Sequence, residues 1–163
     1  MPERQIRLFG DPVLKTVSDP ILVIDDRVRS LVQDLVDSVQ LPGRAGVAAA
    51  QIGVNLRAFS YSVDGTVGYI LNPTLVELSG EPELVDEGCL SVPGLWYPTK
   101  RYPFARATGI DLEGEPLELS GTGIMAQALQ HETDHLDGLL YLDRLDKENR
   151  RAAMKEIRES AWF

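Results

Sequence analysis

The sequence predicts an α+β fold in which antiparallel β-sheets lie between an N-terminal amphipathic helix and helical segments towards the C-terminus. Three observations predict it. A clean 3.6-residue apolar stripe comes early, a β-prone and turn-rich stretch fills 44–119, and helical character returns after residue 122. With 163 residues the chain reads as a single domain, 1–163, long enough to bury a sizeable core.

The first helix is expected over 25–40. Val28, Leu31, Val32, Leu35, Val36 and Val39 form one stripe, Asp25 or Asp26 can cap its start, and Pro42 with Gly43 ends the pattern. Short β-prone runs follow at 56–63, 67–71 and 74–78, with Asp64 and Gly65 as a hairpin signal between the first two. A second hairpin is expected from 106–112 and 116–119, around Gly114. Over 122–137 Thr122 is placed to cap a helix, Ile124, Ala128, Leu129 and Leu136 supply an apolar side, and Gly138 suits the position past its end. A last helix is expected over 147–160, charged and solvated, with a local excess of basic residues.

Composition excludes several function classes. Sixteen Lys and Arg against 25 Asp and Glu give a net charge of −9, which argues against general binding to nucleic acid or anionic membrane through a basic face. One cysteine rules out an intrachain disulfide. No run of 18 apolar residues predicts a membrane span, and the first residues lack the apolar core of a secretory signal. The expected address is the cytoplasm.

The chemistry concentrates in His-Glu-Thr-Asp-His. The chain has two histidines, His131 and His135, with Glu132 after the first. At i and i+4 on a helix both imidazoles lie on one face and can reach one metal ion, while Glu132, about 100° round the helix, is free to move a proton. Two histidines placed at random show this spacing, with Glu next to the first, in roughly one chain per thousand. The same helix is therefore expected to bind metal at the centre of the sheets.

A catalytic site of this type takes three protein ligands and keeps one position open. The third ligand has several sources. The extended H-E-x-x-H-x-x-G-x-x-H pattern holds as far as Gly138 and fails at Tyr141. A downstream carboxylate could come from Glu148, Glu156 or Glu159, and a thiolate from Cys89. Between Gly46 and Gly53 small residues leave room for close backbone approach around Gln51, whose amide can donate a hydrogen bond.

In this order the three segments resemble the peptide deformylase family, whose motifs are G-φ-G-φ-A-A-x-Q, E-G-C-φ-S and Q-H-E-x-D-H-φ-x-G. The second is complete at 87–91 and the third at 130–138. In the first, Arg44 stands where the pattern has its first Gly, with Gly43 one place earlier and Ala45 in the hydrophobic slot. The stretch from Asp11 to Leu14 also resembles the family's N-terminal segment, and the likeness covers about residues 6–146. An arginine at position 44 is unfavourable if the backbone there needs positive φ; otherwise it is free to touch substrate or close over it.

The resemblance implies that Cys89, His131 and His135 bind one divalent metal ion and that Glu132 is the general acid/base. It implies an oxyanion site from Gln51 and the backbone N–H of Leu90, Gly46 beside the substrate backbone, and a pairing of Glu87 with Arg101. The implied reaction removes the formyl group from N-formylmethionine on newly synthesised polypeptides and releases formate, a step in N-terminal methionine processing during protein biosynthesis. Ligand types alone favour Zn2+; the resemblance implies Fe2+ in the cell, with Ni2+, Co2+ or Zn2+ able to occupy the site. Ile124 and Ala128 are expected to line the methionine pocket, with Gln127 near its mouth. Recognition further along the peptide should rest on main-chain hydrogen bonds to a strand edge. Contact with the ribosome through the basic terminal helix is a further expectation. Two rival readings are an HExxH peptidase using a downstream Glu and a metal-containing binding module without turnover.

Overall fold

The structure, a computed structural model, describes residues 4–163. Seven strands and three α-helices follow in the order α1 (Asp26–Val39), β1 (Gly46–Ala48), β2 (Ala58–Val63), β3 (Thr66–Ser79), β4 (Glu83–Cys89), β5 (Val92–Arg101), β6 (Phe104–Ile110), β7 (Pro116–Thr122), α2 (Gly123–Leu136) and α3 (Lys147–Glu159). Short 3-10 turns occupy Pro12–Lys15, Ala49–Ile52 and Tyr141–Arg144. Every strand pairing in the two sheets is antiparallel.

A five-stranded sheet of order β1-β2-β3-β6-β7 has a helix on each face. Side-chain alternation along the strands sorts the core. Val47, Ala58 and Leu71 pack with the α1 stripe of Val28, Leu31, Val32, Leu35 and Val39. Their neighbours Ala48, Phe59 and Ile70 point the other way, onto Ala126, Leu129 and Leu136 of α2. The α1 prediction holds in detail: Asp25 caps it by accepting the N–H of Val28 at 3.1 Å. A third core lies under α3, where Ala153 and Ile157 bury against Val92 and Leu95 of β5 and against Leu140, Tyr141 and Leu142. The terminal helix is therefore a packed element, solvated on its outer face only.

Two strand predictions need correction. The runs 67–71 and 74–78 are one strand, β3, with a register shift between Leu71 and Thr74. Pro73 has no N–H for the ladder, and Asn72 sits at φ +50°. The strand continues because the Asn72 amide bonds both main-chain groups of Ile21, at 2.8 and 2.9 Å. The β4–β5 hairpin, a sheet of its own, adds two strands that the short β-prone runs of the sequence do not mark. Pro93, Gly94 and Pro98 interrupt its alternation, and Leu84 and Trp96 point into solvent.

Helix α2 starts at Thr122 without a side-chain cap bond. Beyond its end Gly138 takes φ +77°, and a Cβ there would come within 2.9 Å of the Lys15 carbonyl oxygen, so this glycine serves both a turn and a close approach. Gln130, Glu132, Thr133, Asp134 and His135 are all buried on α2. Burying so many polar groups on one helix requires partners for them, and those partners build the site.

Candidate active site

Cys89, the last residue of β4, meets His131 and His135 of α2. One ligand atom from each lies within 4.8 Å of the other two, and Cys89 Sγ is 3.4 Å from His135 Nε2. Metal–sulfur and metal–nitrogen bonds of about 2.3 and 2.0–2.1 Å in a tetrahedron put neighbouring ligand atoms ~3.5 Å apart, so these donors fit one divalent ion. Among the described residues this is the group of His, Cys, Asp and Glu placed to hold a metal. The carboxylate alternatives stand elsewhere. Glu148, Glu156 and Glu159 are outside the group, and Glu156 accepts the Tyr97 hydroxyl.

A chain of buried charges orients the histidines. His131 Nδ1 is 2.5 Å from Glu87 Oε2. Burial pushes the Glu87 carboxyl up, but Arg101 and His131 outweigh it and hold it at about 2. An ionised carboxylate can only accept, so Nδ1 carries the proton and Nε2 is left for the metal side. Arg101 grips Glu87 with two N–H groups at 2.9 and 2.6 Å, and its third nitrogen reaches Asp134 at 2.9 Å. Arg144 then takes Asp134 through two contacts of 3.2 and 2.9 Å. The Tyr141 ring stacks on His131 at 6.4 Å. Burial keeps His135 well below the usual imidazole range, neutral and ready to ligate. His131 is held well above that range: burial opposes its charge, but Glu132, Cys89 and Glu87 prevail. In that charged form Nε2 carries a second proton, which a bound cation would displace while Nδ1–H stays with Glu87.

Glu132 is 3% exposed, and its Oε1 has no hydrogen-bond partner in the protein. Burial pushes its carboxyl up to about 7. Gly46 of β1 lies against it, since a Cβ at 46 would fall 2.5 Å from Glu132 Oε2. Gln51 Oε1 accepts the Ala48 N–H at 3.0 Å, which fixes the amide so that Nε2 points to Ser91 Oγ at 3.2 Å and towards Cys89 Sγ at 3.7 Å. These groups open on a cleft of about 500 Å³. Gly46, Gln51, Leu90, Ala128, His131 and Glu132 line it. Ile124 is 57% exposed at its rim while Ala128 is buried, and Gln127 bonds the Asp86 carbonyl and Glu87, each at 3.3 Å.

The polypeptide deformylase family model matches residues 3–151. The chain belongs to this family. A peptide deformylase of Acidothermus cellulolyticus is 52% identical over 99% of this chain and 89% of the relative. One from Parafrankia is 50% identical over the same shares. The crystal structure of a peptide deformylase from Legionella pneumophila superposes with a TM-score of 0.89 at 32% identity, covering 96% of this chain and 94% of that one.

The structure brings every sequence-predicted residue of the site to one cleft or its floor, and the expected Glu87–Arg101 pair forms. Sequence reasoning missed Ser91, Asp134, Arg144 and the packing of Tyr141. Ser91 and Asp134 lie inside the motifs and carried a signal. Arg144 carried none, because its partner is reached only after the chain turns at Gly138. The deformylase motif's departure at position 44 is resolved as well. Gly43 takes the positive φ, +82°, and Arg44 does not.

Proposed function

We propose that Cys89, His131 and His135 hold one divalent metal ion and that Glu132 moves the proton while the formyl amide is hydrolysed. As a member of the family the chain removes formyl from N-formylmethionine on nascent peptides and releases formate. The observation that carries the role assignment is the convergence of Cys89, His131 and His135 beside a buried carboxyl with an unpartnered oxygen, at the floor of a cleft.

When bound, the ion supplies Lewis acidity, acidifying water and polarising a carbonyl. Glu132 takes the proton of the attacking water and returns it to the leaving amine as the C–N bond breaks. A carboxyl displaced towards neutrality by burial can work in both directions. The Gln51 Nε2–H and the Leu90 N–H donate to the oxygen on which charge develops, and losing one such donor typically costs about 100- to 1000-fold in rate. Glu87, clamped by Arg101, keeps His131 in the tautomer a ligand needs. Ala128, with Ile124 at the rim, receives the methionine side chain. Gly46 packs on Glu132 and lets β1 approach the carboxylate closely, where a side chain at 46 would push it aside.

The ion is read as Fe2+, with Zn2+, Ni2+ and Co2+ accommodated by the same donors. Anaerobic metal analysis paired with formate release from formyl-Met-Ala-Ser tests the reading. One equivalent of metal and rapid release are expected, both lost in Cys89→Ala; a fully metallated protein without turnover would overturn the assignment. Among the described residues no helix is long and apolar enough to cross a membrane, and the reading places the chain in the cytoplasm. Ribosome contact through α3 is read from a groove around Met154 edged by Lys147, Arg150, Arg151 and Arg158. Unchanged cosedimentation of an Arg151→Glu/Arg158→Glu variant would end that reading. Charge reversal is preferable to deletion here, because removing α3 would uncover the Val92, Leu95 and Tyr141 core.

A further inference from the structure

Arg44 is the one Arg or Lys side chain lining the cleft; the other ionisable groups on its walls are Asp86, Glu87, Cys89, His131 and Glu132. Outside the cleft the cations are mixed: Arg27, Lys100, Lys147, Arg151, Lys155 and Arg158 form no ion pair among the described residues, and others are paired. Arg101 and Arg144 are locked to carboxylates in the charge chain, and Arg4, Arg7, Arg57 and Arg106 each reach a carboxylate within 3.2 Å. Arg44 has no ion-pair partner among the described residues. Its one recorded side-chain bond runs from Nη1 to the Ser38 carbonyl at 2.9 Å, in the last turn of α1. That bond anchors the side chain and leaves the other guanidinium donors unassigned. Nor is the arginine a burden on the backbone, since Gly43 absorbs the left-handed residue of this loop. Two residues on, Gly46 touches Glu132, so the guanidinium is tethered to the strand that borders the reacting centre.

We propose that Arg44 is a specificity-determining residue that recognises a carboxylate on the formylated peptide, downstream of the formylmethionine. The inference rests on the deformylase reading above. In a chain of net charge −9 an acidic peptide is otherwise repelled, and a lone unpaired cation at the cleft offsets that locally. Asp86, exposed on the same cleft, works in the opposite sense and would favour a basic side chain. The proposal therefore commits to Arg44 dominating at the position it reaches.

The test compares formyl-Met peptides, C-terminally amidated, with Glu, Ala or Lys at the second and then the third residue. Amidation leaves the side chain as the only carboxylate; a free-acid Ala peptide, run alongside, reports the terminal carboxylate separately. At one of the two positions kcat/KM is expected to fall from Glu to Ala to Lys, by about 1.5- to 5-fold at each step, the range of an exposed ion pair. The difference should sit mainly in KM and narrow in high salt. Arg44→Ala should flatten the series and Arg44→Glu invert it. A wild-type series that is flat or favours Lys at both positions overturns the proposal, as does a Glu preference that survives Arg44→Ala. Absence of formate release from the neutral peptide by the metallated wild-type protein would instead sink the deformylase reading, so the two failures are distinct.

Discussion

Substituting Gly46 with alanine should damage catalysis while leaving the metal in place. The added Cβ would sit 2.5 Å from Glu132 Oε2 and 2.8 Å from its Cδ and Cγ, whereas ordinary contact begins at 3.4 Å. The carboxylate must therefore retreat by about 0.9 Å, or β1 must move by as much. A carboxylate end can swing aside, but Glu132 is 3% exposed and its one open side faces the cleft, so any retreat takes it off its place beside the reacting atoms. β1 is pinned by its pairing to β2 and by the bond from the Ser62 N–H to the Ala45 carbonyl at 2.9 Å. A displacement near 1 Å of a group that must meet a reacting atom costs on the order of 100-fold. Overpacking of this size destabilises by roughly 1–3 kcal/mol. Gly46→Ala should accordingly lower kcat about 100-fold in the formate-release assay, while metal analysis still finds one equivalent, because no ligand is touched. A variant with kcat within about 3-fold of wild type, or a crystal structure with Glu132 unmoved, would refute the packing argument.

Glu132→Gln keeps shape and removes the titrating group; kcat should fall by about 100- to 10,000-fold with metal content unchanged, as measured by formate release and elemental analysis. Arg101→Ala strips Glu87 of both its guanidinium bonds and leaves a buried carboxylate short of compensation. About 3–5 kcal/mol of stability should be lost in urea unfolding, and metal affinity should fall about 10- to 100-fold in a chelator competition as His131 loses its orientation. Glu87 also makes an acid-side prediction. Its carboxyl lies at about 2 in the fold against 4.5 unfolded, so its contribution is complete above pH 4.5 and drains away as pH falls through 2. Thermal melts between pH 5 and 2 should steepen in the wild type relative to Glu87→Gln; parallel curves would contradict the assignment.

Legibility followed the range of the interaction. Helix α1 was readable to its capping residue, because a 3.6-residue stripe and an Asp at its head are short-range facts. The same holds for the His131 and His135 pair, which needs only one helical turn. β3 was read as two strands because Pro73 breaks a ladder locally, whereas the Asn72 amide that repairs the break bonds Ile21, 51 residues away. The β4–β5 hairpin hid behind prolines and outward-facing apolar residues, although it carries Cys89. Cys89 entered through its motif, and nothing in its spacing from the histidines requires contact. Arg44 was visible as a departure from the motif, but only the backbone could say that Gly43 takes the strained conformation in its place.

By itself the sequence determined the three helices and the β-rich middle, the helix that carries the two imidazoles and the Glu beside them, and the supply of one soft sulfur donor. Tertiary structure decided that Cys89 meets His135 across 46 residues, that Glu87 meets His131 across 44, and that Gly46 closes on Glu132. Helical period and capping depend on neighbours within a turn, so they are written locally. Convergence depends on how β4–β5 docks beside α2, which is fixed by apolar faces burying together over the whole chain and leaves no short-range trace.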